Sequence, residues 1–192
     1  MTQTLTGFYD TYDEAKRTVS DLESAGIPHL DISIVASNAE GVHASGAGTG
    51  AGVGAVLGGG AGLLAGLGIM AIPGLGPVVA AGWLAATLVG AVAGAAGGGL
   101  IGGLVSAGVS EKDAHVYAEG VRRGGSLVTV RAADSKVESA RRILQLHRSV
   151  NIMARRGMYE KEGWRQFDPK ANPYTPAQVA AERDRINKYP RV

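Results

Sequence analysis

Cysteine is absent from this chain of 192 residues, and aromatic residues make up only 5% of it. Without cysteine the chain has no disulfide, no thiolate metal site and no cysteine nucleophile, which fits a reducing compartment. Residues 1–7 contain neither a basic nor an apolar stretch, so no secretory signal is predicted. Because aromatic residues are few, alanine, valine, leucine and isoleucine must supply most of any apolar core.

Charge is missing altogether between Ala44 and Ser110, and small residues recur there every four positions. This spacing places each series on one side of a helix. A glycine inside a helix costs about 1 kcal/mol relative to alanine, so such helices need close packing partners or a lipid environment. We therefore predict a helix-packing interface formed by two series of small residues: Gly50, Gly54, Gly58, Gly62, Gly66, then Gly82, Ala86, Gly90, Gly94, Gly98 and Gly102.

A turn divides the uncharged segment, because two prolines and two glycines fall within five residues: Pro73, Gly74, Gly76 and Pro77. The segment 44–110 is thus predicted to be an antiparallel helical hairpin, with helices at about 50–72 and 78–105 and the turn at 73–77. Both helices would exceed the roughly 20 apolar residues that cross a bilayer.

Two environments suit this predicted hairpin. In a membrane the small residues would let the helices approach closely, although the flanks lack a positive-inside signature. In a protein assembly, hairpins from several copies would bury one another, since one alone exposes too much apolar surface to water. Either environment predicts a homo-oligomer. A flexible glycine-rich linker is a third interpretation, which the four-residue period disfavours.

The segments on either side of the hairpin have the patterns of a small α/β domain. Residues 1–43 are predicted to form β-α-β, with strands at 5–10 and 31–36 around a helix at 13–25. Residues 111–154 are predicted to form α-β-α-β, ending in a strand at 149–153. Together they predict an α+β fold, a ferredoxin-like split α/β sandwich in which the helical hairpin is an insertion.

The C-terminal tail, residues 155–192, is basic: residues 148–192 hold 10 of the 19 lysines and arginines but 5 of the 17 acidic residues. A capping-box pattern at Thr175 predicts a short helix at about 176–188. The tail mixes cations with aromatic rings, which suits a subunit or domain contact, a lipid headgroup or a nucleic acid. Acidic residues interrupt it, which disfavours nucleic acid. The residues proposed for a subunit or lipid contact are Arg155, Arg156, Trp164, Arg165 and Phe167.

Three features together resemble a family of bacterial general stress proteins, the heat-induced stress protein type. They are the opening Gly-Phe-Tyr-Asp-Thr-Tyr-Asp-Glu-Ala at 7–15, the glycine series, and Tyr-Ala-Glu-Gly-Val-Arg-Arg-Gly-Gly-Ser-Leu-Val-Thr-Val at 117–130. The resemblance covers about residues 5–155 and leaves the tail outside. It implies a stress-linked, membrane-associated protein with a split α/β sandwich, and it supplies no catalytic residues.

No pattern in the chain predicts catalysis, a cofactor or a metal. The glycine run at 46–54 departs from the strict G-x-G-x-x-G spacing and lies about ten residues beyond its strand, so the glycine series explains it better than a nucleotide does. The histidines lack metal-ligand spacing and are interpreted as surface or capping residues: His29, His43, His115 and His147. Glu160 and Glu162 lie beside cations, which is typical of a solvated face rather than an acid/base pair.

The sequence thus predicts a non-enzymatic, self-associating, stress-related protein with no evident small-molecule substrate. Its hairpin would insert into the bacterial inner membrane and leave the α/β domain in the cytoplasm. The alternative is a cytoplasmic homo-oligomeric scaffold, shell or filament whose hairpins bundle into a core enclosed by protein.

Overall fold

The computed structural model describes residues 2–39, 68–92 and 99–188. Within these ranges the chain forms five strands and seven α-helices, so the predicted α+β class is confirmed. The strands are β1 (Thr2–Tyr9), β2 (Ile32–Ser37), β3 (Gly68–Ile72), β4 (Gly76–Gly82) and β5 (Ser126–Ala133). The helices are α1 (Tyr12–Ser24), α2 (Trp83–Val92), α3 (Gly99–Ser106), α4 (Glu111–Arg122), α5 (Val137–Leu146), α6 (Ile152–Lys161) and α7 (Pro176–Asn187).

The strands form one sheet in the order β1-β5-β2-β4-β3, and every neighbouring pair is antiparallel. Strand β5 lies between β1 and β2, so the last strand of the chain pairs with the first, which is at one edge of the sheet. Ile34 in β2 lies opposite Val128 on one side and Ala81 on the other. The sheet therefore combines both predicted halves of the domain with part of the glycine-rich segment.

Helices cover the sheet on both faces, and alternation along each strand divides the apolar side chains between them. The face under α1 and α5 is filled by Tyr9, Val19, Leu22, Ile34, Val128, Val130 and Leu144. The face under α2, α3 and α4 is filled by Phe8, Val35, Val78, Leu84, Leu104, Ala118 and Leu127. Neighbouring residues of one strand, such as Leu127 and Val128, thus belong to different layers of the core.

The local signals that predict the α/β elements are present in the structure. The Thr11 side chain caps α1 by accepting from the Glu14 amide, and Ser110 caps α4 by accepting from the Asp113 amide. Gly26 follows α1 with a φ of 76°, a conformation that glycine adopts at little cost. The predicted β-α-β of the first half and the α-β-α that opens the second half are confirmed.

The strand predicted at 149–153 is wrong, because this segment leads into helix α6. The Asn151 side chain accepts hydrogen bonds from the amides of Met153 and Ala154, which satisfies two free donors at the start of the helix. With this strand absent and β4 and β3 added, the ferredoxin-like arrangement specifically is not confirmed.

Only part of the long helices predicted within 44–110 is present in the described residues, as the short helices α2 and α3. Residues 68–72 are strand β3 rather than the end of a helix, and the segment from 78 begins in β4 and becomes helical only at Trp83. The strands contain Ile69, Ile72, Val78 and Val79, and β-branched side chains suit a pleated sheet. Most of the first predicted helix, residues 50–67, and residues 93–98 of the second lie outside the described residues.

The predicted turn is present, but it joins two strands instead of two helices. Gly74 and Gly76 have φ angles of 75° and 83°. Side chains at these positions would also collide with the tail, because a Cβ on Gly74 would lie 2.7 Å from the Cα of Pro169 and one on Gly76 would lie 2.6 Å from the Cβ of Pro173. The turn glycines therefore let the C-terminal tail pass directly over this β-hairpin.

Among the helices of the described ranges, none combines the length and the apolar character needed to cross a membrane.

Two members of the second glycine series should respond oppositely to alanine. Gly82 has a φ of 82°, and a Cβ there would lie 2.1 Å from the carbonyl oxygen of Ile32. Gly82→Ala should therefore lower the free energy of unfolding by about 2 kcal/mol or more. Gly102 is in α3 with nothing within 4 Å of such a Cβ, so Gly102→Ala should raise it by up to about 1 kcal/mol. Urea denaturation followed by circular dichroism measures both, and equal effects would contradict these separate roles.

Candidate functional site

The densest cluster of charged and aromatic side chains lies where the C-terminal tail packs on the end of α4. Helix α4 ends at Arg122, and Gly124 follows with a φ of 103° that turns the chain toward β5. A Cβ on Gly124 would lie 2.4 Å from Cγ1 of Val179 in α7. Glycine at this turn therefore allows α7 to lie directly against the end of α4, and we call the contact between 119–125 and the tail the junction.

Arg123 is the centre of the junction. Its Nε donates to Glu119 Oε1 at 2.6 Å, and its Nη1 donates to Glu162 at 2.8 Å and to Glu182 at 3.4 Å. Arg185 pairs with the same two tail glutamates. One guanidinium of the α/β domain thus binds carboxylates from α4, from the end of α6 and from α7.

Glu119 is fully buried, so its charge requires partners. It accepts a second hydrogen bond from Arg122 Nη2 at 2.7 Å. Its other carboxylate oxygen has no hydrogen-bond partner among the described residues. A buried carboxylate held by two guanidinium groups makes the geometry of the junction specific, because removal of either partner would leave charge in a poorly solvated position.

Aromatic rings surround the same guanidinium groups. The Arg123 guanidinium lies 4.1 Å from the ring centroid of Tyr159, and that of Arg122 lies 5.8 Å from the Phe167 ring. Trp164 meets Tyr159 edge to face, with ring centroids 5.7 Å apart. Cation–π contacts of this kind are stronger in desolvated surroundings, so the rings support the ion pairs as well as excluding water from them.

A second buried ion pair joins the tail to the end of β1. Arg155 in α6 donates to Asp10 at 2.6 Å, and both side chains are buried, with exposed fractions of 7% and 4%. Nearby, the amide of Val150 donates to the carbonyl of Phe8 at 2.7 Å. The start of the tail is therefore attached to the strand at the edge of the sheet.

Burial shifts the pKa values of several junction groups. It raises the pKa of Tyr159 to about 12, although the charge of Arg155 opposes the shift. It also raises the pKa of Glu182, against the charge of Arg123. For Arg123 burial acts in the opposite direction, but the hydrogen bond and charge of Glu119 raise the pKa overall. Glu119 therefore stabilises the charged form of Arg123.

A cavity of about 70 Å³ lies inside the junction. This is several times the ~10–15 Å³ that one water requires. Its wall includes the charged residues Asp10, Arg123, Arg155 and Arg183 together with Tyr159, Thr11 and the backbone of Gly124 and Gly125. The Tyr159 hydroxyl is buried beside Arg155, whose charge and hydrogen bond oppose the rise that burial causes in its pKa.

The arrangement suits charge pairing better than catalysis. The junction carboxylates each face guanidinium groups, which are poor proton donors. In the ranges that the structure covers, no three His, Cys, Asp or Glu side chains come together as metal ligands. His147 Nε2 lies 2.6 Å from Asp21 Oδ2, a contact between α5 and α1 that the sequence did not predict. This contact joins the end of α5 to α1.

Four of the five tail residues proposed for a subunit or lipid contact instead contact their own chain. Arg155 pairs with Asp10, and Arg156 pairs with Asp113 of α4. The other two are aromatic: Trp164 packs on Tyr159 and Phe167 is buried in the core. Arg165 is exposed. The tail thus packs on its own chain, and a contact of these residues with another subunit or a lipid stays a prediction.

The structure describes four of the eleven small residues predicted as a helix-packing interface, and these four lie in three different elements. Gly82 ends β4, while Ala86 and Gly102 are exposed on α2 and α3. The described contact between α2 and α3 uses Gly103 instead, where a Cβ would lie 2.9 Å from Leu84. Gly90 lies within α2. The remaining members lie outside the described residues: Gly50, Gly54, Gly58, Gly62, Gly66, Gly94 and Gly98.

Sequence reasoning missed Glu119 and Glu182, which are essential to the junction. Each shows a local signal, because Glu119 precedes Arg123 by four positions and Glu182 precedes Arg185 by three. Such spacing predicts an ion pair on a helix surface. It does not reveal that both carboxylates meet at one arginine, since that depends on how α7 packs against α4.

No family model, curated protein or solved structure matches this chain. The resemblance to the heat-induced stress proteins therefore stays a prediction.

Removing the buried cation of the second ion pair should destabilise the fold strongly. Arg155→Met keeps the length of the side chain but takes its charge away from the buried Asp10 carboxylate. We expect the free energy of unfolding to fall by about 3 kcal/mol. Arg165→Met, at an exposed position of the same tail, should change it by less than about 0.5 kcal/mol. Urea denaturation at neutral pH measures both, and similar values would show that the Arg155–Asp10 pair does not hold the tail.

Three buried tyrosines should make the fold sensitive to alkali. Burial raises the pKa of Tyr9, Tyr117 and Tyr159 from 10.0 to about 12. A raised pKa means that folding favours the protonated phenol, so this contribution is complete below pH 10 and is lost as the pH rises through 12. Each group should contribute on the order of 2 kcal/mol. Phenolate absorbance and circular dichroism should therefore change together between these pH values; ionisation of these phenols well before unfolding would contradict their burial.

Proposed function

We propose that this chain is a non-enzymatic protein that associates with copies of itself, and that the uncharged part of its sheet forms the contact. The observation that carries this proposal is strand β3, which lies at the end of the strand order and is exposed along most of its length. Ile69, in the middle of the strand, is 58% exposed. An apolar side chain at this position is unusual for the edge of a sheet.

An edge strand offers unpaired backbone donors and acceptors on its outer side. In the described part of the chain, no strand pairs with that side of β3. Proteins that remain monomeric usually protect such edges with charged residues, proline or a bulge. The strand Gly68–Ile72 reads GIMAI and has none of these. Pairing with the same strand of a second copy would satisfy the backbone and cover Ile69 in one step.

The helices that follow β4 in sequence also present an uncharged outer surface. Ala86 and Thr87 of α2 are exposed, as are Gly102 and Val105 of α3, where Val105 is 42% exposed. Small side chains of this kind allow close approach of another backbone. They support self-association as a second contact, without specifying the number of copies.

A stress-linked role and insertion into the bacterial inner membrane stay proposals based on the sequence. Since 76–106 contributes a strand and two short helices to the described fold, membrane insertion would have to use the uncharged residues of 44–67. The alternative is a cytoplasmic scaffold, shell or filament in which these residues pack against other copies. Washing membranes with alkaline carbonate distinguishes the two, because an integral segment stays in the pellet and an assembly without one is released.

A charge on the exposed edge strand should weaken self-association. Ile69→Lys places an ammonium group where two β3 strands would pair, and we expect the association constant to fall on the order of tenfold or more. The matched control is Leu146→Lys, because Leu146 is 68% exposed at the end of α5, which packs on the other face of the sheet. Sedimentation velocity over a range of concentrations measures both. A wild-type chain that stays monomeric throughout, or equal effects of the two variants, would overturn the proposal.

A further inference from the structure

The sheet has a second open edge, at strand β1. This strand lies at the opposite end of the strand order from β3, and β5 pairs with one side of it. Among the described residues, a single backbone hydrogen bond reaches its other side, from the amide of Val150 to the carbonyl of Phe8 at 2.7 Å. Residues 2–6 of the strand are exposed or half-buried, so this part of the edge is accessible to another strand.

The hydrogen bond to Phe8 identifies which backbone groups of β1 point outward. In an antiparallel sheet the amide and the carbonyl of one residue point to the same side of the strand, and successive residues alternate between the two sides. The pairing of β1 with β5 runs without a bulge, so Thr2, Thr4 and Thr6 point away from β5 as Phe8 does. Their three amides and three carbonyls have no partner among the described residues.

The usual protection of an edge strand is missing from this part of β1. Residues 2–6 read TQTLT, without charge or proline. Arg131 of β5 lies opposite Thr4, but its guanidinium lies over the ring of Trp83, 3.9 Å from the ring centroid. Trp83 follows β4, on the far side of β2 from β1. The arginine is therefore directed away from the β1 edge.

The outward groups of β1 are more numerous than those of β3. The carbonyl of Pro77 in β4 points to β2, since it accepts a hydrogen bond from the amide just beyond that strand. Alternation then directs Val78 toward β3 and its partner Met70 toward β4. This leaves Ile69 and Ala71 as the outward residues of β3, two against the three of β1.

We propose that β1 pairs antiparallel with β1 of a second copy, around a twofold axis at Thr4. Thr4 then lies opposite Thr4 of the second copy, and Thr2 lies opposite its Thr6. The three outward residues of each chain exchange about six hydrogen bonds in this register, whereas pairing with the two outward residues of β3 would give about four. This inference rests on the proposed self-association and adds a second contact to it. Because the two contacts lie at opposite edges of the sheet, copies joined by both extend beyond a dimer.

Single cysteines test the register, since the chain has no cysteine of its own. With the axis at Thr4, the two Thr4 Cα atoms lie about 5.5 Å apart, within the span of a disulfide. Thr4→Cys should therefore form a linked dimer in oxidised glutathione, on the order of tenfold faster than Thr2→Cys or Thr6→Cys. Cα atoms of those residues lie about 14 Å from their own copies, beyond the reach of a disulfide. Non-reducing gel electrophoresis measures the rates.

Mixing the Thr2→Cys and Thr6→Cys chains provides the positive control, because the register places these two positions opposite each other and they should link to one another. Ser20→Cys, exposed on α1, reports linking by random collision. Equal rates for Thr4→Cys and Ser20→Cys would overturn the proposal, and equal rates for Thr4→Cys and Thr2→Cys would overturn the twofold axis at Thr4.

A second variant measures the effect on assembly. Thr4→Pro removes an outward amide, a change that an edge strand tolerates, and circular dichroism verifies that the fold persists. In sedimentation velocity the wild type should form species larger than a dimer, and Thr4→Pro should stop at the dimer. An unchanged size distribution would contradict the β1 contact.

The β1 and β3 contacts fail separately. Thr4→Cys should still link in a chain that also contains Ile69→Lys, because the β1 contact does not include β3. Absence of this linking, while Ile69→Lys weakens association, would remove the β1 contact alone. Linking at Thr4 together with no effect of Ile69→Lys would remove the β3 contact alone.

Discussion

The requirement that strand β2 be paired on both edges determines much of this fold. All six residues of β2 are buried, and buried backbone groups must find hydrogen-bond partners. Strand β5 satisfies one edge, and the other is satisfied by β4, which comes from the glycine-rich segment. Because residues 76–82 form a strand of the sheet, the segment around them cannot be one continuous helix. The β3–β4 hairpin, the short helices α2 and α3 and the exposed edge at β3 all follow from this pairing.

The attachment of the tail depends on buried ion pairs rather than on strand pairing. Two buried ion pairs, centred on Arg123 and Arg155, connect it to α4 and β1. Charges buried in this way are costly unless every one is paired, so the junction tolerates few alternative arrangements of α6 and α7. Pro169 and Pro173 then lie against Gly74 and Gly76, where no side chain interferes. The tail thus packs against both the α/β domain and the hairpin, and it makes the two into one structure.

The junction and the β3 edge differ in burial and in charge. The junction is buried, and its charged side chains form ion pairs within the chain. The β3 edge is exposed and carries no charged side chain, which suits contact with another polypeptide.

The sequence by itself determined the elements whose signals are local. The capping box at Thr175 and the apolar periodicities of α1, α4 and α5 predicted helices that the structure contains. Tertiary structure alone decided the rest. A four-residue period of glycine and alanine is compatible with a helix, although glycine makes such a helix weakly stable. Residues 76–82 form a strand instead, because pairing with the buried edge of β2 stabilises the strand more than local interactions would stabilise the helix. The burial of Glu119 and Glu182 around Arg123 likewise depends on the packing of α7 on α4, a contact between residues 59 positions apart that no local pattern encodes.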